Sequence, residues 1–341
     1  MHRALKIMLF SIAIMHPHCK LAQPAALSYG EFMKNNSCGL FALAVFASVL
    51  AGSACAGVFD GSVVAASAAW WTHLDTEAFV RSATGRAILA TPDHPLLRQA
   101  GVLTAMTGVA PFREVRHATL YGSDSGGVAV VEGDFRGAEL VKRLQTRPDY
   151  TSRTINGATV HRWSNNPAGD AATAACLSTP RRLLLASDEP LLLAALAVLS
   201  GKSPSWNAQA GPLPLPRLAP PGVFFQAAAR GCPGGLAGTV PGAMLRDVTV
   251  MAAAIGEAGG QAQIDLQLHA ATEPAAVQIE QLANGLILTG SLGHNIGAGA
   301  AVPPWARLLA GATATRRGTT VQIHSACSPS EASELLAKAL N

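Results

Sequence analysis

The sequence predicts an α+β fold of two similar halves, each an antiparallel sheet of β-hairpins with capped helices packed on one face. Three observations carry the prediction. Gln261 to Ala270 (QAQIDLQLHA) alternates strictly, with Ala262, Ile264, Leu266 and Leu268 on one side and Gln263, Asp265, Gln267 and His269 on the other. That is the pattern of a strand with one buried face, found in antiparallel sheets. Turn residues recur between such runs, and capped amphipathic segments recur after them.

Taken in order, Trp70-Trp71-Thr72-His73 opens the first half as an aromatic strand, and Asp75 sits where a cap is needed for a helix over Thr76 to Leu89. Ala118 to Tyr121 and Val128 to Val131 form a hairpin around a Gly/Ser/Asp turn. A helix from about Arg136 to Gln145 ends before Pro148. Arg153 to Ile155 and Ala158 to Trp163 flank Asn156-Gly157, two residues that tolerate positive φ and so mark a tight hairpin. Ser187-Asp188-Glu189-Pro190 opens a helix through Leu199.

The second half begins with Val223-Phe224-Phe225-Gln226. Val248 to Ile255 then pairs with the alternating strand across Glu257-Ala258-Gly259-Gly260. Thr272-Glu273-Pro274 starts a helix with Ile279, Leu282, Ala283 and Leu286 on its buried side. The glycine-rich Gly290 to Gly299 reads as a flexible loop. Ala312 to Thr315 and Thr320 to His324 form the last hairpin. Ser328-Pro329-Ser330-Glu331 is a capping box with proline at the first helical position, followed by an apolar stripe of Ala332, Leu335, Leu336, Ala339 and Leu340. The halves are placed at 57–202 and 223–341, joined by a proline-rich linker at 203–222. Their similarity implies a duplication, with an additional hairpin at Asn156-Gly157 in the first.

Residues 1–56 read as a leader. Met33, Lys34, the apolar run Cys38 to Gly52 and Ser53-Ala54-Cys55-Ala56 have the order of a secretory signal, with cleavage after Ala56 and Met33 as the expected start. The two apolar runs of the leader are shorter than the roughly 18 residues of a spanning helix. The leader holds Arg3, Lys6, Lys20 and Lys34 against Glu31, so three of the four surplus positive charges belong to it. The remaining chain is nearly neutral and has no basic stripe, which excludes nucleic acid as a partner. Cys176, Cys232 and Cys327 remain after cleavage, allowing at most one internal disulfide.

Two motif fragments are decoys. Tyr121-Gly122-Ser123-Asp124-Ser125-Gly126-Gly127 resembles the nucleophile loop of trypsin-like serine proteases, but no histidine motif of that kind precedes it, so it reads as a hairpin turn. Gly201-Lys202-Ser203 ends like a phosphate-binding loop, but Leu196 stands where the first glycine is required. The segment also follows a helix, so it reads as a helix end. No cofactor motif occurs. His73, His117, His161, His269 and His324 lie on or beside expected strands, where neighbouring strands can bring two or three onto one face. No pair has a close metal-ligand spacing, so no metal is assigned.

Trp71-Thr72-His73-Leu74-Asp75 with Glu77-Ala78-Phe79, then Thr119-Leu120-Tyr121-Gly122 and Gly157-Ala158-Thr159-Val160-His161-Arg162-Trp163, resemble a group of uncharacterised exported bacterial proteins. The resemblance implies secretion and a repeated α+β body, and it supplies no activity. The expected function is therefore a non-catalytic envelope protein, periplasmic or extracellular, that binds a partner or ligand and touches the membrane only through an uncleaved leader. The alternative is an extracytoplasmic hydrolase, metal-dependent in one version, built on His73, Asp75, His117 and His161. A third reading is an adhesion or lipid-binding module, with Trp71 and Trp163 as candidates for stacking on a ligand.

Overall fold

In the computed structural model, the described residues are 59–123, 126–147, 149–164, 172–209, 222–231, 246–296, 309 and 311–340. The expected leader, with its cysteines and the expected cleavage position, lies outside them, as does Cys232. After a short 3-10 turn at Gly61–Val63, the chain forms β1 (Trp70–Asp75), α1 (Thr76–Arg81), α2 (Ala83–Leu89), α3 (Pro95–Thr107), α4 (Pro111–Glu114), β2 (Val115–Ser123), β3 (Gly126–Gly133) and α5 (Gly137–Gln145). It continues with β4 (Thr151–Ile155), β5 (Ala158–Ser164), β6 (Ala172–Thr179), β7 (Arg182–Ala186), α6 (Glu189–Leu199) and α7 (Trp206–Gln209). The remainder is β8 (Phe225–Arg230), β9 (Val248–Ala258), β10 (Gln261–Ala270), α8 (Glu273–Ile296), β11 (Thr313–Arg317), β12 (Thr320–Cys327) and α9 (Pro329–Leu340). The fold is α+β, and its strands pair antiparallel throughout.

Two packing units divide these elements. The first, which holds the described residues of 59–77 and 98–212, carries strands in the order β1-β2-β3-β7-β6-β5-β4. The second, from 78–97 and 213–341, carries β8-β9-β10-β12-β11. Within each unit a meander of three strands is followed by the last strand of the unit and then by that strand's hairpin partner. The seven-stranded unit adds β4 and β5 beyond β6. Its outer strand β4 (TSRTI) and the outer strand β11 (TATRR) of the five-stranded unit are both five residues long and largely exposed. Short strands with arginine suit an edge, because they offer little apolar ladder to a second chain.

Local chemistry sets the turns. Asn156 and Gly157 both have positive φ, at 51° and 83°, which matches the twist of a two-residue hairpin. Gly259 and Gly260 do the same between β9 and β10. The capping box forms reciprocally: Ser328 N donates to Glu331 Oε2 at 2.9 Å, and Glu331 N donates to Ser328 Oγ at 3.2 Å. Helix α6 ends at a left-handed Gly201, where Gly201 N donates to Val198 O and Lys202 N to Ala197 O. This paired closure satisfies the last carbonyls and explains Gly201-Lys202-Ser203 without a phosphate.

The apolar face of β10 is covered by α8 and α9. Ala275, Ala276 and Ile279 of α8 pack with Leu268, Ala270 and Val321, and Ala332 and Leu335 of α9 pack with Ala262 and Cys327. In the seven-stranded unit α6 lies across β3, β6 and β7, burying Leu192, Ala195 and Val198. Burial of each Leu or Ile contributes about 1.5–3 kcal/mol, so these faces dominate the stability of each unit.

Four expectations need correction. The helix expected over Thr76 to Leu89 is broken at Ser82, whose Oγ donates to Phe79 O at 2.5 Å and accepts from Gly85 N at 2.8 Å. This local capping replaces one helical turn by the start of another. Residues 78–97, expected in the first half, pack in the five-stranded unit. There the Phe79 ring meets Phe224 edge-on at 5.3 Å, Glu257 Oε2 accepts from Ala83 N and Thr84 N, and His94 Nε2 donates to Ser333 O at 3.2 Å. The expected linker at 203–222 begins as structure. Ser205 bridges to Ala65, Trp206 N donates to Val64 O at 2.7 Å, and the Trp206 ring is buried; 210–221 lie outside the described residues. Finally, α8 runs through Gly290 and Gly293 to Ile296, so most of the expected glycine loop is helix. Each helical glycine costs about 1 kcal/mol relative to alanine.

Candidate functional site

Alternation along β1 sends Trp71, His73 and Asp75 to one face of the sheet, with Trp70, Thr72 and Leu74 on the other. The register then opposes Trp71 to Tyr121, His73 to Thr119 and Asp75 to His117, so six polar or aromatic side chains share that face. Further along the same row, Glu132 of β3 stands beside His117 and Arg182 of β7 beside Glu132. Arg182 grips Glu132 Oε1 through Nη2 at 2.6 Å and Nε at 2.8 Å.

Most of this cluster is dry. Trp71, His73, Asp75, Thr119 and Tyr121 are buried. Phe59 stacks on Trp71 with ring centroids 3.7 Å apart and planes 7° apart, and meets His73 edge-on at 5.7 Å. His73 Nδ1 shares a 2.9 Å hydrogen bond with the Thr119 hydroxyl, and its ring lies 6.1 Å from that of His117. Trp71 Nε1, Tyr121 Oη and His117 Nδ1 are buried without a hydrogen-bond partner. Each such group forfeits about 1–3 kcal/mol of desolvation. Burial also pushes the Tyr121 phenol upward, so it stays protonated and serves as a donor.

His161 and Trp163 do not join this cluster. Following the register from β5, His161 opposes Ala175, then Leu185, Ala129, Leu120 and Thr72. His161 therefore shares the face of Thr72, opposite to His73. Five inter-strand steps of about 4.8 Å put it roughly 24 Å from β1. Trp163 lies on the His161 face, so it cannot stack with Trp71 on one ligand. The expected constellation of His73, Asp75, His117 and His161 is thus reduced to its first three members. His161 instead shares a 2.8 Å hydrogen bond with Tyr150 Oη, and burial lowers its pKa.

A second polar face lies in the five-stranded unit, on the side of β10 away from α8 and α9. Asp265 opposes His324, Gln267 opposes Gln322 and His269 opposes Thr320. His324 Nδ1 is 2.9 Å from Asp265 Oδ1, and His269 Nδ1 shares a 3.2 Å hydrogen bond with the Thr320 hydroxyl. Gln267 Oε1 and His269 Nε2 are buried and unpartnered, and burial lowers the His269 pKa. Among the described residues, no group of three or more His, Cys, Asp or Glu side chains is arranged to hold a metal ion. Cys176 and Cys327 are buried free thiols. Burial raises both pKa values, that of Cys327 to about 11 with help from the Glu331 charge, so neither is a thiolate nucleophile.

Sequence reasoning named His73, Asp75, His117 and Trp71 but missed Phe59, Thr119 and Tyr121 as their partners. The signal was the alternation of β2. It becomes informative only once β2 is set against β1 in the right register.

This architecture places the chain among α+β proteins built on antiparallel meanders, with polar groups enclosed on the sheet faces. No protein-family model matches it, and no curated protein matches it. Solved structures do match. "Structure of crystal form III of TP0453" aligns with a TM-score of 0.49 and 11% identity, covering 83% of this chain and all of that one. Crystal form IV of the same protein gives 0.47 and 10%, and crystal form I gives 0.44 and 11%, each over 83% of this chain and 98% of the other.

Proposed function

We propose that the protein is an exported, non-catalytic binding or assembly module of the cell envelope, derived by duplication of one α+β unit. The signal-like leader supports export, and the common strand order of the two units supports duplication. The observation that carries the binding reading is the opposed pair Trp71 and Tyr121, whose indole N–H and phenol O–H are buried and unpartnered. Buried donors are ordinarily satisfied, and two left open side by side suit an acceptor-bearing ligand or partner segment. Phe59, stacked on Trp71, is the group such an occupant displaces.

The hydrolase reading has one observation in its favour, the His73–Thr119 hydrogen bond, which has the spacing of a base and a nucleophile. Burial does not separate it from the binding reading, since Trp71 and Tyr121 are buried as deeply as His73 and Thr119. The discriminating experiment uses protein processed by the cell, with its N-terminus sequenced to test cleavage after Ala56. Envelope fractions are cross-linked to the parent and to Tyr121→Phe and Trp71→Phe variants. A partner retained by the parent and lost by both variants supports the binding reading. A parent that remains monomeric and uncross-linked overturns it. Hydrolysis of ester or peptide substrates that vanishes in Thr119→Val establishes the alternative.

A further inference from the structure

We propose that the polar face of the five-stranded unit is a second binding site, which takes a short extended peptide with its ammonium end at Asp265 and its carboxylate end at His269. Asp265, Gln267 and His269 are alternate residues of β10 and form a line along one side of it. Asp265 and Gln267 are each only 8% exposed. Gln267 Oε1 and His269 Nε2 are buried without a hydrogen-bond partner, at adjacent positions of that line. Asp265 Oδ1 meets His324 Nδ1 at 2.9 Å, and a carboxylate, with about four acceptor sites, keeps capacity for a further donor. Buried polar atoms are ordinarily satisfied, so two open atoms in line with a buried carboxylate mark hydrogen bonds that the chain itself does not make.

The neighbouring strands give the line two unlike sides. On β12, His324 opposes Asp265 with its side chain 43% exposed, and Thr313, Thr315 and Arg317 of β11 beyond it are exposed, so the line is approached from that edge. On β9 the neighbours of Asp265 and Gln267 are Ala254 and Ala252, which add only methyl groups. Charge and spacing set the ligand. Same-face positions on a strand are about 6.6 Å apart, so Asp265 to His269 spans about 13 Å, the length of roughly four extended residues. Negative charge sits at one end, on Asp265. Positive charge sits at the other, where Arg230 and Arg317 occupy the cross-strand row of His269, each two strands away. Between these ends Gln267 Oε1 is a neutral acceptor, which a peptide N–H satisfies. A diamine of this length would set its second cation against the arginines, and a dicarboxylate would set one anion against Asp265. With Thr320 Oγ1 donating to His269 Nδ1, Nε2 carries the ring proton and donates to the ligand carboxylate. The site lies in the other unit from Trp71 and Tyr121 and does not depend on the reading given to them.

The test is equilibrium dialysis of the full chain against tetra-alanine, N-acetyl-tetra-alanine, tetra-alanine amide and spermidine. Tetra-alanine is expected to bind, and blocking either end should weaken it on the order of tenfold, the worth of one charge-assisted hydrogen bond. Asp265→Asn should weaken tetra-alanine by a similar factor and leave the N-acetyl form unchanged. Arg317→Gln, at an exposed position where folding is not at stake, should weaken the free carboxylate and not the amide. Gln267→Leu should lower the affinity for all three peptides while thermal melts show a protein at least as stable as the parent. Three results would each overturn the proposal: no retention of tetra-alanine at about 1 mM, equal affinity for free and blocked peptides or for the parent and Asp265→Asn, or tighter binding of spermidine than of the peptide. The last assigns the face to polyamines.

Discussion

In the seven-stranded unit the clustered histidines His73 and His117 lie on the first two strands of the meander, β1 and β2. In the five-stranded unit, His269 and His324 lie on the third strand and its neighbour, β10 and β12. The strands that correspond to β1 and β2 are β8 and β9, and on the side facing Asp265 and Gln267 they offer Gln226, Ala228, Ala252 and Ala254. Shared strand order therefore does not carry shared chemistry. A site assigned in one unit cannot be transferred to the other by topology, because fold constrains which backbones are neighbours and not which side chains they bear.

The largest test of this comparison is truncation of the two cores. Phe224→Ala removes the ring that meets Phe79 in the five-stranded unit, and Leu184→Ala empties the centre of β7 in the seven-stranded unit. The first should cost about 3–5 kcal/mol and the second about 2–5 kcal/mol, measured by urea unfolding. Hydrogen exchange then shows whether the loss is confined to the unit that was changed. Loss of protection throughout the chain from either substitution would show that the two units unfold together.

Next comes the segment at 78–97. Glu257 lies at the β9–β10 hairpin and its carboxylate accepts two backbone N–H groups at the start of α2. Glu257→Ala should cost about 1–2 kcal/mol and raise exchange mainly in α2. A smaller effect of opposite sign is expected at the open polar atoms. Tyr121→Phe in one unit and Gln267→Leu in the other each remove a buried unpartnered group, and each should stabilise the purified protein by about 1 kcal/mol in thermal melts. Destabilisation by Tyr121→Phe alone would show that the phenol is already satisfied, and would weaken the binding reading at that residue.

What the sequence made legible is what depends on neighbouring residues. The alternation of β10, the Asn156-Gly157 turn and the Ser328–Glu331 capping box are local signals, and each forms where it was expected. The β6–β7 hairpin was missed because the alanine-rich start of β6 has no contrast between its two faces. The break at Ser82 is local too, but a serine inside a helical pattern is ambiguous until its hydroxyl finds Phe79 O and Gly85 N. Long-range features were beyond reach. The packing of 78–97 depends on Glu257 and Ser333, far away in the chain. The separation of His161 from His73 depends on the order in which six strands pair, and on a parity that a shift of one residue would reverse.

The smallest expected effect also compares the units most directly, because each holds one histidine whose pKa is lowered by burial. His161 and His269 titrate below the free value of 6.5, since burial penalises the imidazolium. Between 6.5 and the lowered value the unfolded chain binds more protons than the folded one, so stability rises with pH across that window and levels off above it. Acidification from about pH 7.5 to about pH 5 should therefore lower the unfolding midpoint. Both histidines use Nδ1 toward a hydroxyl, of Tyr150 and of Thr320 respectively, and asparagine offers a polar atom near that position without titrating. His161→Asn and His269→Asn should each remove part of the pH slope, and the double variant most of it. A slope carried wholly by one histidine would show that only one unit loses stability by this route. A slope that survives the double substitution would place the acid sensitivity in groups other than these two histidines.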